Sequence, residues 1–472
     1  MNLSSYVKGA VVGSTTMLCR RCSVLTSSTL EDFSHMQKRY MKSWKKRVQV
    51  IEERKEQVFQ YVRDNAKPTE RLYVWGCATT GSLGISSYLK PVKGQSFMQC
   101  MRRPARLKFF DNYDIKVTEA ACGYGFTIFL AKKGKEHCVF GTGINTNSQI
   151  GFHRIHNDKG KGLDYIIEPI KIDVPFDNPD TTRVTQAACG RAHTILLTNN
   201  EGAFSLGNNA YGQCGRTIVE GELYRYSSQI QQIRDLPDNV TKVVCGQDHT
   251  LFLTKAGEVY SCGLGADGQT GLGHYNCEHR PTLVQGDLQG VKVKDIGGAA
   301  DCVLAVSEQG ELFGWGNSEY NQLSMITDTT QVNVPRHLPV DRCGKVSKAV
   351  AGGSMCAVLT EEGYVYVWGY GILGKGPNLE STSSPEKIPP SLFGQYDLDA
   401  QSKLVDIACG IGHFMALSDS GNLYAWGKNR SGCLGLYVQR DQFFPLKVSM
   451  PAETYSIVCG VDHNVAFCRS FA

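Results

Sequence analysis

The stretch Ala408-Cys409-Gly410-Ile411-Gly412-His413-Phe414-Met415-Ala416-Leu417, followed after a short turn by Asn422-Leu423-Tyr424-Ala425-Trp426-Gly427, is the clearest copy of a pattern that recurs along the whole chain. Each copy joins a Cys-Gly or Gly-Gly pair to a short apolar run, and then to a second residue pair that ends in glycine. The copies follow one another at a period of roughly 50 to 65 residues, which is typical of an array of structural repeats. The chain is therefore predicted to form a ring or a solenoid of similar units.

Three sets of residues locate the seven copies of the repeat. The first glycine pair begins at Cys122, Cys189, Cys245, Gly297, Gly352, Cys409 and Cys459. Three residues beyond it stand Phe126, His193, His249, Asp301, Cys356, His413 and His463. The second pair is placed at Trp75-Gly76, Phe140-Gly141, Leu206-Gly207, Cys262-Gly263, Trp315-Gly316, Trp368-Gly369 and Trp426-Gly427.

The segments between these sets have the pattern of short strands. Thr250–Thr254 is a β-rich run, Ala256-Gly257 is a turn, and Glu258–Ser261 resumes the strand pattern. No segment of the array has the 3.6-residue periodicity of a long helix. We therefore predict an all-β protein in which four short strands form each blade of a seven-bladed β-propeller.

The two ends of the array complement each other. Leu72–Gly76 has no Cys-Gly element before it, whereas Val458–His463 begins a copy that then stops. Pairing of the N-terminal and C-terminal strands would complete the last blade and remove two open sheet edges. Residues 68–472 are therefore predicted to form the closed propeller.

The repeat resembles that of the regulator-of-chromosome-condensation family over about residues 70–472, and it is most similar to the family's mitochondrial member. Three stretches carry the likeness: Cys245–His249, Ser261–Gly271 and Trp368–Leu379. The resemblance implies guanine-nucleotide exchange on a mitochondrial GTPase, plausibly a dynamin-like fusion GTPase of the inner membrane. An exchanger of this kind releases nucleotide without making or breaking covalent bonds.

The N-terminal region differs from the propeller in charge. Residues 1–67 carry a net charge of +7, and the remainder carries −2. Residues 1–30 contain no acidic side chain and many Ser and Thr residues, which is typical of a mitochondrial transit peptide. We therefore predict a mitochondrial protein on the matrix side, with a peripheral position at the inner membrane as one option. The alternative is a disordered N-terminus in a cytosolic or nuclear protein.

Residues 31–67 are predicted to form a basic amphipathic helix. Apolar residues from Met36 to Val62 recur at helical spacing, and Lys45, Lys46 and Arg47 lie among the cations of the other faces. Three roles remain open: packing on the propeller rim, lying on an anionic membrane surface, or contacting RNA or a partner. No run of 18 apolar residues occurs, so no membrane-spanning helix is predicted.

Three motifs resemble nucleotide-binding or metal-binding sites, but we interpret them as parts of the repeat. Gly369–Lys375 has the spacing of a phosphate-binding loop, but Gly376 replaces the hydroxyl residue that would hold Mg²⁺. Gly263–Gly268 matches a dinucleotide fingerprint without the helix that should follow it. The four repeat histidines are expected one per blade, each buried and hydrogen-bonded to backbone. We predict no catalytic residue, no cofactor and no metal site.

Function is therefore expected on loops. Residues 85–117, 152–184 and 376–402 depart furthest from the repeat, and loops on a rigid scaffold commonly carry binding residues. The second insertion supplies the partner-binding candidates Arg154, His156, Lys159, Lys161 and Tyr165. The rival to nucleotide exchange is a non-catalytic adaptor in mitochondrial ribosome assembly, which would contact ribosomal RNA or assembly proteins. Pure scaffolding without exchange is a third option.

Overall fold

A computed structural model describes residues 69–89, 98–154, 161–395 and 402–470. The predictions for residues 1–30 and 31–67, including Lys45, Lys46 and Arg47, lie outside this part of the chain, as do His156 and Lys159. Within the described residues, no helix has the length and apolar character needed to cross a membrane.

The regular secondary structure of the described residues is almost entirely strand. Its strands are β1 (Glu70–Cys77), β2 (Cys100–Arg106), β3 (Lys116–Cys122), β4 (Phe126–Lys133), β5 (Glu136–Ile144), β6 (Tyr165–Ile172), β7 (Val184–Cys189), β8 (His193–Thr198), β9 (Ala203–Gly207), β10 (Ile230–Gln232), β11 (Val240–Cys245), β12 (His249–Thr254), β13 (Val259–Gly263), β14 (Glu278–Leu283), β15 (Val293–Gly297), β16 (Cys302–Ser307), β17 (Leu312–Asn317), β18 (Gln331–Leu338), β19 (Val346–Ala351), β20 (Met355–Thr360), β21 (Val365–Tyr370), β22 (Ser381–Lys387), β23 (Leu404–Cys409), β24 (His413–Ser418), β25 (Leu423–Gly427), β26 (Gln442–Lys447), β27 (Glu453–Cys459) and β28 (His463–Arg469). Two single-turn helices, α1 (Ser86–Leu89) and α2 (Phe109–Asn112), precede β2 and β3.

These strands form seven four-stranded antiparallel sheets. Six blades use consecutive strands: β3–β6 is blade 1, β7–β10 is blade 2, and the series continues to β23–β26, which is blade 6. Blade 7 has the order β2-β1-β28-β27, so it joins both ends of the propeller. The seven-bladed β-propeller predicted from the repeat is confirmed.

The closure of the ring is confirmed residue by residue. Tyr73 of β1 lies opposite Ala466 of β28, and Gly76 lies opposite His463. Thr69 and Ser470 extend the junction through hydroxyls 2.8 Å apart. Because β1 and β2 come from the N-terminal end and β27 and β28 from the C-terminal end, blade 7 cannot form until both ends of the propeller are present.

The register corrects three placements made from the sequence. In every blade the third strand contains a glycine opposite the first residue of the second strand, as Gly263 lies opposite His249. In blade 1 this glycine is Gly143, not Gly141. A Cβ on Gly143 would lie 2.4 Å from the Gly125 carbonyl oxygen, so its φ of 113° must be kept by glycine.

The same register moves the histidine position in two blades. Cys302 lies opposite Gly316 in blade 4, and Met355 lies opposite Gly369 in blade 5. The assignments of Asp301 and Cys356 to that position were therefore wrong by one residue in opposite directions. The loop before the second strand is one residue longer in blade 4, where it spans residues 298–301, than in blade 6, where it spans residues 410–412. In blade 5 the loop has the usual length, 352–354, but the glycine pair begins after Ala351, the last residue of β19. Fixed spacing from the glycine pair could reveal neither difference.

Three of the four repeat histidines, His193, His413 and His463, contact side chains of the next blade, and His249 has no hydrogen-bond partner among the described residues. The prediction that each of them binds backbone was therefore wrong. His193 Nε2 lies 3.1 Å from Thr250 Oγ1 in blade 3, and that hydroxyl donates to the Gln213 carbonyl of blade 2 at 2.7 Å. His463 and Thr127 repeat this arrangement at the blade 7–1 junction. In each link one threonine hydroxyl donates a hydrogen bond to a carbonyl of one blade and also contacts the histidine ring, so it fixes the spacing of two adjacent blades.

Tryptophans make a second set of blade-to-blade contacts. The fully buried indole of Trp315 donates to the Gln269 carbonyl of the preceding blade at 3.0 Å, and Trp368 donates to Gln322 at 2.7 Å. Trp75 donates to Cys433 at 2.8 Å across the closing junction. The tryptophan of the second repeat pair therefore packs one blade against the preceding one.

A candidate partner-binding face

The loops that join the first strand to the second, and the third strand to the fourth, open onto one face of the propeller. Inner strands such as β11 end where the following second strands begin, and third strands such as β13 end beside those starting points. The loops after the inner strands and the loops before the outer strands therefore share one end of the ring. We call this end the loop face.

Buried asparagines hold several of the long loops on this face in place. Asn145 donates its amide to the carbonyls of Gly151 and Leu163 at 2.8 and 3.1 Å. Asn429 is 3% exposed and donates to the Val438 carbonyl at 2.7 Å in blade 6. Loops whose backbone is held by a buried side chain present their tips with little conformational freedom.

The side chain of Tyr124 reaches across the mouth of the central channel around which the blades are arranged. The Tyr124 hydroxyl of blade 1 reaches the Ala299 carbonyl of blade 4 at 3.4 Å. Below the mouth lies a cavity of about 230 Å³ whose lining includes thiols from five blades: Cys122, Cys189, Cys245, Cys409 and Cys459. Burial raises the pKa of Cys409 to about 12, and it raises that of Cys189 well above its ordinary value. Cys189 and Cys409 are therefore protonated at neutral pH and are poor nucleophiles.

A cluster of carboxylates from blades 3 and 4, with one arginine from blade 2, lies beside the channel mouth. Asp248 forms an ion pair with Arg191, whose Nε is 3.3 Å from Oδ1. Asp301 accepts hydrogen bonds from Gln247 at 2.9 Å and from Gln269 at 3.2 Å. Burial, together with the nearby charge of Asp267, raises the pKa of Asp301 to about 6. The cluster is anionic above neutral pH and partly shielded from water.

The described residues of the predicted insertion that precede β6, 152–154 and 161–164, lie on the loop face. Arg154 forms an isolated β-bridge with Gly162, and the side chains of Arg154, Lys161 and Tyr165 are exposed. Asp164 ties this segment to blade 2 by accepting two hydrogen bonds from Arg225, at 3.0 and 2.6 Å. The three described candidates are thus near one another at the base of one segment, and their role in binding stays a prediction.

Comparison with known proteins identifies the family. The RCC1-like domain profile matches residues 66–395, and profiles of the regulator of chromosome condensation (RCC1) repeat match residues 404–433 and 420–467. The chain belongs to the RCC1-like family. It is 50% identical over 417 residues to the human RCC1-like G exchanging factor-like protein, a match that covers 88% of this chain and 90% of the human protein.

Solved structures show the same architecture. The crystal structure of human WBSCR16 superposes with a TM-score of 0.80 at 49% identity and covers 86% of this chain and 100% of that one. Prp20p of Saccharomyces cerevisiae has a TM-score of 0.66 at 18% identity, covers 86% of this RCC1-like chain and 93% of its own, and shows a shared fold.

Sequence reasoning missed the carboxylate cluster of this RCC1-like propeller. Arg191 and Asp248 lie in the two variable positions between a Cys-Gly pair and the repeat histidine that follows it. Only the histidines of these segments were considered as candidate site residues. Those two places point at the loop face in every blade, so polar residues there were the available signal. The grouping of three blades' side chains could not be derived from spacing alone.

Proposed function

We propose that this RCC1-like propeller promotes nucleotide release by holding the nucleotide-free form of a GTPase against its loop face. The name of its human relative, a G exchanging factor-like protein, supports this assignment at the level of the family. Prp20p, which shares the fold, is described with its binding to Gsp1p. The observation that carries the proposal is the half-buried carboxylate cluster of Asp248 and Asp301 on a rigid face.

The physical requirement for exchange is differential binding. A protein shifts an equilibrium only by its difference in affinity for the two states, so the exchanger must bind the empty GTPase better than the loaded one. Loss of the nucleotide leaves the lysine of the GTPase's phosphate-binding loop without its phosphate partners. A carboxylate that meets this cation only after release stabilises the empty form selectively.

The cluster is suited to that role in two ways. Hydrogen bonds from Gln247 and Gln269 fix the orientation of the Asp301 carboxylate before a partner arrives. The raised pKa of Asp301 shows that its charge is incompletely solvated, and a cation from a partner would supply the missing stabilisation. Covalent chemistry is not required of any residue in this scheme.

The client and the compartment are further parts of the proposal. The resemblance to a mitochondrial family member and the acid-free residues 1–30 favour a mitochondrial location on the matrix side. The proposed client is a mitochondrial GTPase, with a dynamin-like fusion GTPase of the inner membrane as the first candidate. Fusion of residues 1–40 to a fluorescent reporter tests the location, and a diffuse signal would refute it.

A pull-down from mitochondria tests the function. The full chain is incubated with extract depleted of nucleotide, and the experiment is repeated with excess GTP. Exchange predicts a GTPase that is retained only without nucleotide. Recovery of ribosomal RNA and assembly proteins that is indifferent to GTP would favour the adaptor hypothesis instead.

Two matched variants connect the result to the cluster. Asp301→Asn removes the charge while keeping the shape, and the loss of one charge-assisted contact worth about 1.5 to 3 kcal/mol would slow nucleotide release roughly 10- to 100-fold. Asp238→Asn removes an exposed charge outside the loop face and should leave release unchanged. Equal rates for Asp301→Asn and the unaltered chain would exclude the cluster from exchange.

A further inference from the structure

A cavity of about 600 Å³ lies at the rim of the propeller, between the outer strands of blades 2 and 3. One wall is formed by β10 and the residues that follow it, and the opposite wall includes His279 and Arg280 of β14. The long loop between β9 and β10 contributes a third wall through Thr217 and Val219. The cavity shares no residue with the carboxylate cluster, so it is a separate candidate site.

At three other junctions between blades the chain itself bonds to the outer strand. In each of them a backbone N–H from the loop after the third strand donates to a carbonyl on the outer strand of the next blade. The three bonds run from Gly273 to Asn333 at 2.8 Å, from Gly376 to Phe443 at 2.9 Å and from Tyr437 to Arg102 at 2.8 Å. The outer strands of this propeller are therefore able to bind a neighbouring chain segment through their backbone.

The corresponding loop of blade 2 is held away from blade 3. Among the described residues, its backbone makes no hydrogen bond to β14. Arg225 of this loop instead donates two hydrogen bonds to Asp164 of blade 1, at 3.0 and 2.6 Å. The backbone N–H of Ser227 donates to the Ser148 hydroxyl of blade 1 at 2.9 Å. Because these contacts fix the loop against blade 1, the space beside blade 3 stays open.

The wall formed by β10 has an open backbone edge. β10 is the outermost strand of its sheet, and Ile233, which follows it, donates its N–H inward to the Ala203 carbonyl at 2.7 Å. Because the backbone groups of successive residues in a strand point to alternate sides, the N–H and C=O of Gln232 point away from β9. No described residue binds these two groups. An open edge of this kind is a template for the addition of another strand.

The side chains of the cavity give it a positive charge. Arg216 and Glu222 neutralise each other through two hydrogen bonds, at 3.0 and 2.6 Å. Arg234 and Arg280 are exposed, and neither forms an ion pair with a described residue. The lining then holds two unpaired arginines against the single carboxylate of Asp235. A ligand with acidic groups is therefore complementary to this cavity.

We propose that the cavity between blades 2 and 3 binds an extended acidic segment of a partner protein, which adds to β10 as a fifth strand of blade 2. In this mode of recognition, backbone hydrogen bonds to the strand edge supply affinity, and side chains that alternate along the added strand supply specificity. Acidic side chains would contact Arg234 and Arg280, and apolar side chains would contact Val219, which is 54% exposed. The proposal does not depend on the exchange function, because the cavity and the carboxylate cluster are separate.

Selection of binders to the full chain from a displayed library of random twelve-residue peptides tests the proposal. The enriched peptides should be acidic, with apolar and acidic residues in alternation. Binding of one enriched peptide, measured by fluorescence anisotropy, should weaken at least about tenfold in the pair Arg234→Gln and Arg280→Gln, since two charge-assisted contacts are lost. N-methylation of every second residue of the peptide should abolish binding in one register and be tolerated in the other, because only alternate N–H groups of an added strand face β10.

The matched control is the pair Arg102→Gln and Arg440→Gln, which removes two exposed cations of blades 7 and 6 that form no ion pair with a described residue. Unchanged melting temperatures establish that all variants are folded. Equal weakening by the control pair would overturn the proposal, because binding would then reflect overall charge. Equal tolerance of N-methylation in both registers would exclude strand addition. The proposal would also be overturned if no acidic peptide were enriched, or if the enriched peptides bound the Arg234 and Arg280 variant normally.

Discussion

The buried imidazole of His249 gives the clearest prediction about stability. The side chain is fully buried, and neither ring nitrogen has a hydrogen-bond partner among the described residues. Burial lowers its pKa from 6.5 to about 4. The unfolded chain therefore binds a proton below pH 6.5 that the folded chain refuses until about pH 4, and stability is lost as the pH falls through that window.

The size of the effect follows from the two pKa values. Between pH 7.5 and pH 5.0, a group with these values removes about 2 kcal/mol from the free energy of unfolding. The substitution His249→Met should abolish this share of the pH dependence. Methionine is tolerated at the equivalent position of blade 5, where Met355 is 2% exposed. The substitution also removes no hydrogen bond that the described residues make to this ring.

Urea unfolding of the two proteins at pH 7.5 and at pH 5.0, followed by tryptophan fluorescence, measures the difference directly. Between the two pH values, the free energy of unfolding of the variant should fall by about 2 kcal/mol less than that of the unaltered chain. The other titrating groups do not change this difference, because they are common to both proteins. Parallel loss of stability in the two proteins would refute the claim that His249 is held neutral in the fold.

Two further predictions concern groups with the opposite behaviour. Burial alone lowers the pKa of His463, but Cys122 and the carboxylate of Asp462, to which the ring donates a hydrogen bond, outweigh burial and raise the pKa to about 10. His463→Gln should therefore destabilise the fold more at pH 6 than at pH 8.5 in thermal unfolding, and an equal cost at both pH values would show that the ring is neutral. Burial raises the pKa of Glu119 from 4.5 to about 7, so its ionisation costs stability as the pH rises through that interval. Glu119→Gln should accordingly raise the melting temperature at pH 8 and leave it nearly unchanged at pH 4, and a variant with the same melting temperature as the unaltered chain at pH 8 would contradict the assigned burial.

The charged state of His463 also follows from hydrogen-bond geometry. The Thr127 hydroxyl donates to the Ser82 carbonyl at 2.9 Å, so it can only accept from His463 Nε2. The other ring nitrogen lies 3.2 Å from a carboxylate oxygen of Asp462, which is an acceptor. Both nitrogens therefore carry protons. Sequence reasoning grouped this histidine with His249, although the two differ in charge.

Residues that recur at fixed spacing were interpreted correctly where the backbone imposes the spacing. Gly263 and Gly427 have φ values of 112° and 114°, and such positions select glycine in each blade. Spacing gave wrong assignments where the number of residues between two equivalent points of the repeat varied. Gly141 was then assigned in place of Gly143, and Asp301 in place of Cys302. A hydrophobic or glycine pattern records the local backbone, and it does not record how many residues a loop inserts between two fixed points.

The candidate surfaces were less accessible to sequence reasoning. The basic insertion was visible because Arg154 and Lys161 are close along the chain. The carboxylate cluster joins Asp248 to Asp301 and Gln269 from different blades, and a backbone hydrogen bond joins Arg102 to Tyr437 across more than 300 residues. The cluster forms when blades 2 to 4 pack together, whereas the contact of Arg102 with Tyr437 forms only when the ring closes and brings β2 beside blade 6.

The sequence by itself determined the strand content, the number of blades and the meeting of the two ends, because each of these depends on local backbone requirements repeated along the chain. Only the tertiary structure decided which buried histidine is charged, which carboxylates share a site and which cations lack a partner. These properties depend on desolvation and on distances of a few ångströms between residues of different blades. A periodic sequence does not record them, since equivalent positions in the repeat have different neighbours once the propeller is assembled.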